Sequence, residues 1–576
     1  MRTTCPLDCY DACSVRYNED KLKGDKEHDF TNGYLCPNLH EYLQTPRITS
    51  PRFEGKEIDL ELAKIILTQK LEEFKEKKTL YFKGSGNFGH LQNITGEFFS
   101  KYGSDFTRGS LCDSAGDAGI KAGREKNLCL TPKEIAKSEV VVVWGRNIET
   151  TNSHLMDVIK NKILIVIDPV KTSLAKKAHI HLQIPPRSDF YLAMLFCRFA
   201  YIEQMDDEEY IAKHCSDFDY FLDFFRSYTI NQLLDKTGVV IEDFLTALML
   251  IKDSKTSFLV GTGVQKYTNG AEVLRAIDSF VAMIGYFGKE GCGVSFLSDS
   301  KEGYEDPFVY KNKTVPKPTA DFSKYDLVFI QGANPANQMP NSTKVIEDLK
   351  KSKFVVYFGL YENETSALAD LVIPACNFLE KEDVRFSYAT EYVGLMPKLK
   401  EVEYGISEYD LTNYLLEEFG FEKLEKASKY IEHMIESNSN FENHLITSKS
   451  YDKIPYSEDD FSFEFIDESE DESEIEEEEG FWLLTPKYKY SLNSQFNRAK
   501  SIRVPLSLGL NDGDMIKVTS PYGELIADVM NDDRLRDDCI LIYSGTKGVN
   551  NLTPNILSDD GDGACYQEVK VKVEKI

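Results

Sequence analysis

Residues 140–147 read VVVVWGRN and residues 327–335 read LVFIQGANP. Each is an unbroken apolar run closed by Gly-x-Asn, and a run without polar alternation is what a strand covered on both faces requires. A helical segment and a second apolar run follow each one, ILIVID at Ile163 to Asp168 and FVVYFG at Phe354 to Gly359. Further runs, TLYFKGSG at Thr79 to Gly86 and SFLVGTG at Ser257 to Gly263, alternate with helices in the same way. Strands alternating with helices predict parallel sheets and an α/β fold. The duplicated turns at Gly145-Arg146-Asn147 and Gly332-Ala333-Asn334-Pro335 predict two half-sites for nucleotide-bearing ligands. Asp168 ends a strand where such units set a carboxylate against a ribose or base. Neither turn is G-x-G-x-x-G, which argues against a nicotinamide or flavin cofactor.

Ahead of these units stand Cys5, Cys9 and Cys13, spaced C-x3-C-x3-C, and Cys36 follows after a further 22 residues with a proline behind it. Three thiolates from one loop and a fourth from a distance suit the corners of a 4Fe-4S cluster. A four-thiolate zinc site is the competing reading, although structural zinc usually takes two C-x2-4-C pairs. The other eight of the 12 cysteines sit singly in apolar or helical patterns and predict reduced thiols, not a disulfide framework.

At 576 residues the chain is long enough for several domains, and 42% apolar with 12% aromatic residues marks it as globular. The net charge is −28, and Glu458 to Glu479 holds 14 acidic residues and no basic one, which predicts a solvated linker. No basic stripe exists to hold nucleic acid. The cysteine group begins at residue 5 and leaves no room for a signal peptide, and no apolar run approaches the roughly 18 residues of a membrane span. A cytoplasmic protein without membrane insertion is the expectation.

A set of collinear motifs goes further: CPLDCYDAC with GYLCP, GSGNFG (84–89), SLCDSAGDAG (110–119), WGRNIETTNSHLM (144–156), IDPVKT (167–172), GTGVQKYTNG (261–270), GANPANQ (332–338), ADLVIPACNFLEKED (369–383), LLTPKYKYSLNSQF (483–496) and NNLTPNILSDDGDGACYQ (550–567). Together they resemble the molybdopterin oxidoreductases of the dimethyl sulfoxide reductase superfamily over nearly the whole chain. The resemblance implies a small iron-sulfur domain (1–55), two interleaved Rossmann-like α/β domains (56–135 with 325–455, and 136–324), the acidic linker (456–480) and a β-barrel-like domain (481–576). It implies two molybdopterin guanine dinucleotides binding one molybdenum or tungsten ion, with Cys5, Cys9, Cys13 and Cys36 on the 4Fe-4S cluster.

For the metal, the resemblance points to Cys112, a soft donor whose pKa a neighbouring cation would lower, with Asp113 as the alternative ligand or proton carrier. His154 is a further catalytic candidate. Gly86 and Asn87 are expected at a pyrophosphate; Gly145, Asn147, Thr151, Asp168, Lys171, Thr172 and Asp189 at one dinucleotide; and Gly263, Gln265, Gly332, Asn334 and Pro335 at the other. Thr485, Ser491, Asn493, Ser494, Asn551 and Thr553 are expected to close over the pterins.

Three positions depart from the pattern. Asn38-Leu39 stands where many relatives have Lys-Gly between cluster and pterin, Asp113 where formate dehydrogenases have histidine, and Gly359 where an acid is common, leaving Glu362 or Glu364 as substitutes. The implied activity is two-electron oxygen-atom, sulfur-atom or hydride transfer on a small molecule, with an electron-transfer protein or subunit as partner. A non-redox hydratase and a cluster-binding electron-transfer or assembly subunit are the alternatives.

Overall fold

The structure is a computed structural model that describes residues 1–469, 475, 478–499 and 501–576. Residues 470–474, 476 and 477, the middle of the expected acidic linker, lie outside the described residues.

Two parallel sheets carry the architecture. In one, the strands run in the order Ile180–Leu182, Ile163–Ile167, Val140–Trp144, Thr256–Val260, Gly293–Ser295, all parallel. In the other, Leu371–Pro374, Phe354–Gly359, Leu327–Gln331 and Thr79–Lys83 are parallel, and the hairpin of Arg52–Phe53 and Lys56–Glu57 closes one edge. Val140–Trp144 and Leu327–Gln331 are buried at every position, which is why both read as uninterrupted apolar runs.

The sheets share one device. Each central strand has its successor in sequence on one side and a strand from elsewhere in the chain on the other, so a crevice opens at its carboxyl end. Gly145 and Gly332 both have left-handed backbone, φ +57° and +56°. The Gly145 N–H donates to Ile167 O at 2.8 Å, and the Gly332 N–H to Phe358 O at 2.9 Å. On the other side the Gly261 N–H donates to Trp144 O and the Gly84 N–H to Gln331 O, each at 2.8 Å. Asn147 and Asn334 then each accept, through the main-chain carbonyl, from the N–H groups three and four residues on.

The remaining elements frame these sheets. An antiparallel sheet of Arg2–Thr4, Ser14–Asn18 and Lys21–Gly24 carries the first three cysteines in the loop between its first two strands, closed by the Cys5 N–H on Cys13 O at 2.9 Å. At the other end, six strands between Phe481 and Lys575 close into a barrel around Leu483, Ile516, Val518 and Ile540.

Three sets of contacts cross the expected boundaries. The helix Ser114–Arg124, expected with residues 56–135, packs on the 136–324 unit. Its glycines 116, 119 and 123 leave a flat face, so that a Cβ on Gly119 would meet Ala271 O at 2.0 Å, and Arg124 pairs with Asp278 at 2.8 Å with both side chains fully buried. Three glycines cost such a helix about 1 kcal/mol each, and close approach is what they gain. The linker expected over 456–480 is in its first part packed: Phe463, Phe465 and Ile466 are buried, and Phe463–Glu464 pairs with Cys215–Ser216. The alternation in FSFEFI is a period-2 strand signal hidden among acids. Arg52–Phe53, expected inside the 1–55 unit, is hydrogen-bonded to Leu371 and Val372 of the second sheet.

Candidate functional site

A cavity of about 520 Å³ lies over the carboxyl ends of both central strands. Gly145, Asn147 and Gly263 enter its wall from one sheet, and Gly84, Gly86, Gly332, Asn334 and Pro335 from the other. The turns are spaced so tightly that only glycine fits: a Cβ on Gly261 would lie 2.1 Å from Gly145 O, and one on Gly84 would lie 2.4 Å from Gly332 O. Bare backbone at a strand end lets a pyrophosphate come close to N–H groups.

At the far end of the first half-site, Asp168 and Asp189 line the cavity. Burial pushes both carboxyls up to about 7, because no cation lies against them among the described residues. Asp189 accepts from the Trp144 indole N–H at 2.6 Å, and Asp168 from the Val170 N–H at 2.8 Å. Two desolvated carboxylates with spare acceptor capacity fit the N–H edge of a guanine.

Cys112 lines the same cavity and is exposed to it, just ahead of the helix Ser114–Arg124. Ser110 Oγ accepts from the N–H groups of Cys112, Asp113 and Ser114 at 2.9–3.1 Å and donates to Asp113 at 2.7 Å, which sets the turn. Behind it, buried Gln265 accepts from the Gly116 N–H at 2.7 Å and donates to Cys112 O, and Lys266 Nζ donates to Leu111 O and Cys112 O at 2.9 and 2.5 Å. Lys266 does lower the thiol pKa, as the sequence suggests, but burial and Asp113 outweigh it and push Cys112 up to about 12. A bound metal cation would supply the charge that the thiolate lacks.

The cysteine loop borders this cavity through Asp8, Cys9 and Tyr10. Burial raises the pKa of Cys5, Cys9, Cys13 and Cys36, and the thiols raise one another further: Cys5 feels Cys36, and Cys13 feels the other three. Four thiols, Cys5 and Cys13 buried and Cys9 and Cys36 half-buried, that repel as thiolates and form no disulfide are a donor set suited to iron. Arg385, fully buried, donates to Cys5 O and Cys9 O, and Ser387 donates to Tyr10 O at 2.9 Å. Arg385 is invisible as a site residue in sequence, because it meets the loop only through tertiary packing.

Lys487 is a second residue that sequence reasoning misses. It reaches in from the barrel segment to pair with Asp8 at 2.5 Å, and its pKa rises because Asp8 and Cys112 both lie close. Asn38, by contrast, donates to Lys489 O at 3.3 Å. Lys487 thus brings a cation to the cysteine loop from the other end of the chain.

Several expected residues stand elsewhere. His154 does not reach the cavity; its Nδ1 bonds Asp11 at 2.7 Å, Cys13 Sγ is 3.9 Å from Nε2, and Asp11 outweighs burial to raise its pKa. Gln265, Ser494, Asn551 and Thr553 are taken up by Cys112 O, Asn334, Ser342 and Asn550. Ser491 accepts from the Arg498 N–H, Asn87 from the Gly89 N–H, and Thr172 from the Ala175 N–H, while Lys171 is exposed. Thr151, Asp113, Thr485 and Asn493 do line the cavity.

Comparison with known proteins agrees with this geometry. The molybdopterin oxidoreductase family matches residues 63–390, and the molybdopterin dinucleotide binding domain matches residues 506–570. The chain belongs to the molybdopterin oxidoreductase family. Among curated relatives, the probable oxidoreductase YyaE of Bacillus subtilis (strain 168) is 27% identical over 67% of the chain and 63% of its own length. YoaE, a probable oxidoreductase of the same organism, is 24% identical over 100% of the chain and 98% of its own length. Acetylene hydratase from Pelobacter acetylenicus superimposes with a TM-score of 0.80 over the full length of both chains; at 17% identity that likeness is one of fold. The chain spans 63% of the length of YyaE, and its match to the dinucleotide binding domain makes its cofactor a molybdopterin dinucleotide. Among the described residues, no helix is long and apolar enough to cross a membrane.

Proposed function

We propose that two molybdopterin guanine dinucleotides and one molybdenum or tungsten ion occupy the central cavity, that a 4Fe-4S cluster occupies the cysteine loop, and that the protein exchanges electrons between a small substrate and a partner protein. The observation that carries this reading is Cys112, which lies in a wall shared with two equivalent glycine cradles and with the loop of Cys9. When bound, the metal and cluster supply two-electron chemistry and a one-electron relay.

The chain's own residues hold and orient. Gly84, Gly145, Gly261 and Gly332 give close backbone approach on both sides, and Asp168 and Asp189 take the nucleoside end of one dinucleotide. Gln265 and Lys266 fix the Cys112 carbonyl and so the direction of its thiol. Lys487 keeps a positive charge between the cysteine loop and Cys112. A subunit that binds only a cluster would have no use for glycines this tightly constrained.

Anaerobically purified protein should contain about four irons, and about two GMP equivalents per molybdenum or tungsten, one for each half-site. It should couple viologen dye to a small substrate. Stoichiometric zinc without iron would remove the cluster, and hydration of an alkyne with no dye-coupled turnover would replace the redox reading with a hydratase.

A further inference from the structure

Beside the central cavity lies a second one, of about 370 Å³. The two share Gly84, Ser85, Phe88, Lys317 and Tyr388 in their walls, so they meet there. The second cavity is also lined by Lys83 and by half-buried Thr107, Ser300 and Lys301.

Two lysines line this space without a carboxylate partner among the described residues. Lys83 Nζ donates to Gly84 O at 2.9 Å and has no carboxylate within 4 Å among the described residues. Lys317 has none either, and its Nζ stands 5.9 Å from the centroid of the Phe82 ring. Lys301, by contrast, is neutralised by Asp306 at 2.5 Å, which also bonds His90 at 2.9 Å. Burial, and next the charge of Lys317, holds Lys83 down to about 7, and burial holds Lys317 down to about 8, the attraction of Glu408, Asp383 and Asp113 being too weak to offset it. Tyr388 completes the junction: its hydroxyl has no hydrogen-bond partner among the described residues, and burial, with Asp113 and Cys112 near, keeps it protonated as a donor. Protonating unpaired lysines in a low-dielectric passage is costly unless an anion joins them, so an arriving anion would favour their charged form.

We propose that the second cavity admits the substrate, that the substrate is a small anion such as an oxyanion or a carboxylate, and that Lys83 and Lys317 draw it to the Tyr388 hydroxyl near Cys112. This rests on the redox reading of the central cavity. It assigns Lys83 and Lys317 to substrate specificity, a role the neutral substrates of a hydratase would not need.

The test uses the cofactor-loaded enzyme with viologen as electron donor or acceptor, nitrate and formate as anionic substrates, and dimethyl sulfoxide and trimethylamine N-oxide as neutral ones. Lys83→Gln and Lys317→Gln should each raise the KM of the anionic substrate that turns over about tenfold, the worth of a charge-assisted hydrogen bond, with kcat within about twofold. Lys317→Arg should restore most of the loss and guards against misfolding. Which anion turns over separates oxyanion reduction from carboxylate oxidation. Independently of turnover, chloride line broadening in ³⁵Cl NMR should be displaced by thiocyanate and should fall several-fold in the Lys83→Gln, Lys317→Gln double variant. Line broadening intact in a folded double variant, or a KM change equal for neutral and anionic substrates, would overturn the proposal. Line broadening lost in that variant while no substrate turns over would uphold the anion site and place the failure in the redox reading.

Discussion

The two half-sites use the same backbone and opposite side-chain chemistry. Around Gly145 and Gly261 the recognising groups, Asp168 and Asp189, are left with unused acceptor capacity and pKa values pushed up to about 7. Around Gly332 and Gly84 the polar group is already met: Asn334 Oδ1 accepts from the Thr365 N–H and hydroxyl, and its Nδ2 donates to Glu364 and Ser494 at 2.9 and 3.0 Å. The cradle therefore belongs to the fold, and recognition of what lies in it belongs to side chains that can differ between halves.

The largest expected effect tests what the halves share. Gly261→Ala and Gly84→Ala both force a methyl into a main-chain carbonyl, so each should cost about 3 kcal/mol or more and yield protein without metal or GMP. Gly263→Ala is the control, since its Cβ would stand 3.2 Å from Gly145 O, and it should keep most of its cofactor. Equal tolerance at 261 and 263, read by GMP content, would break the shared-cradle account.

The next effect tests what the halves do not share. Asp189→Asn should weaken retention of one dinucleotide about tenfold to a hundredfold, the worth of hydrogen bonds to a charged acceptor. Glu364→Gln should change retention less than about threefold, because Asn334 keeps its bonds to Thr365 and Ser494. Identical losses would erase the distinction.

Ionisation gives a third handle. A carboxyl near 4 in the unfolded chain and near 7 in the folded one binds more protons when folded, so its contribution to stability falls as pH rises from about 4 to about 7. Cofactor-free Asp168→Asn and Asp189→Asn should therefore melt above the parent at pH 7.5, with the gap closing towards pH 4. A gap that widens on acidification would show that a cation holds these groups ionised.

The smallest effect concerns the cysteine loop. Lys487→Met removes the cation paired with Asp8 and should lower the cluster reduction potential by tens of millivolts, while Asn38→Lys should raise it. Redox titration followed by electron paramagnetic resonance reads both, and unchanged potentials would place Lys487 outside the relay.

How much of this was legible follows from how each feature is encoded. Val140–Trp144 and Leu327–Gln331 announce themselves because a doubly covered strand must be apolar throughout. The Gly-x-Asn turns are equally plain. The deeper equivalence, Gly84-Ser85-Gly86 with Gly261-Thr262-Gly263, is hidden by chain order. The strand before the first triplet precedes Leu327–Gln331 by some 250 residues, whereas the strand before the second follows Val140–Trp144. Lys266, Arg385 and Lys487 are not legible in the sequence because a lone cation carries no local pattern and gains its meaning only from what packs against it. The packed end of the acidic segment is hard to read because net charge masks the alternation of Phe461, Phe463 and Phe465.

The central claim is that two cradles and Cys112 converge on one metal ion, and X-ray absorption on anaerobic, metal-loaded protein tests it most directly. Two dithiolenes and one thiolate, all soft donors, predict about five sulfurs at the metal in the parent and about four in Cys112→Ser, with GMP held at about two per metal in both. The same sulfur count in both proteins, or one GMP per metal in the parent, would contradict the account.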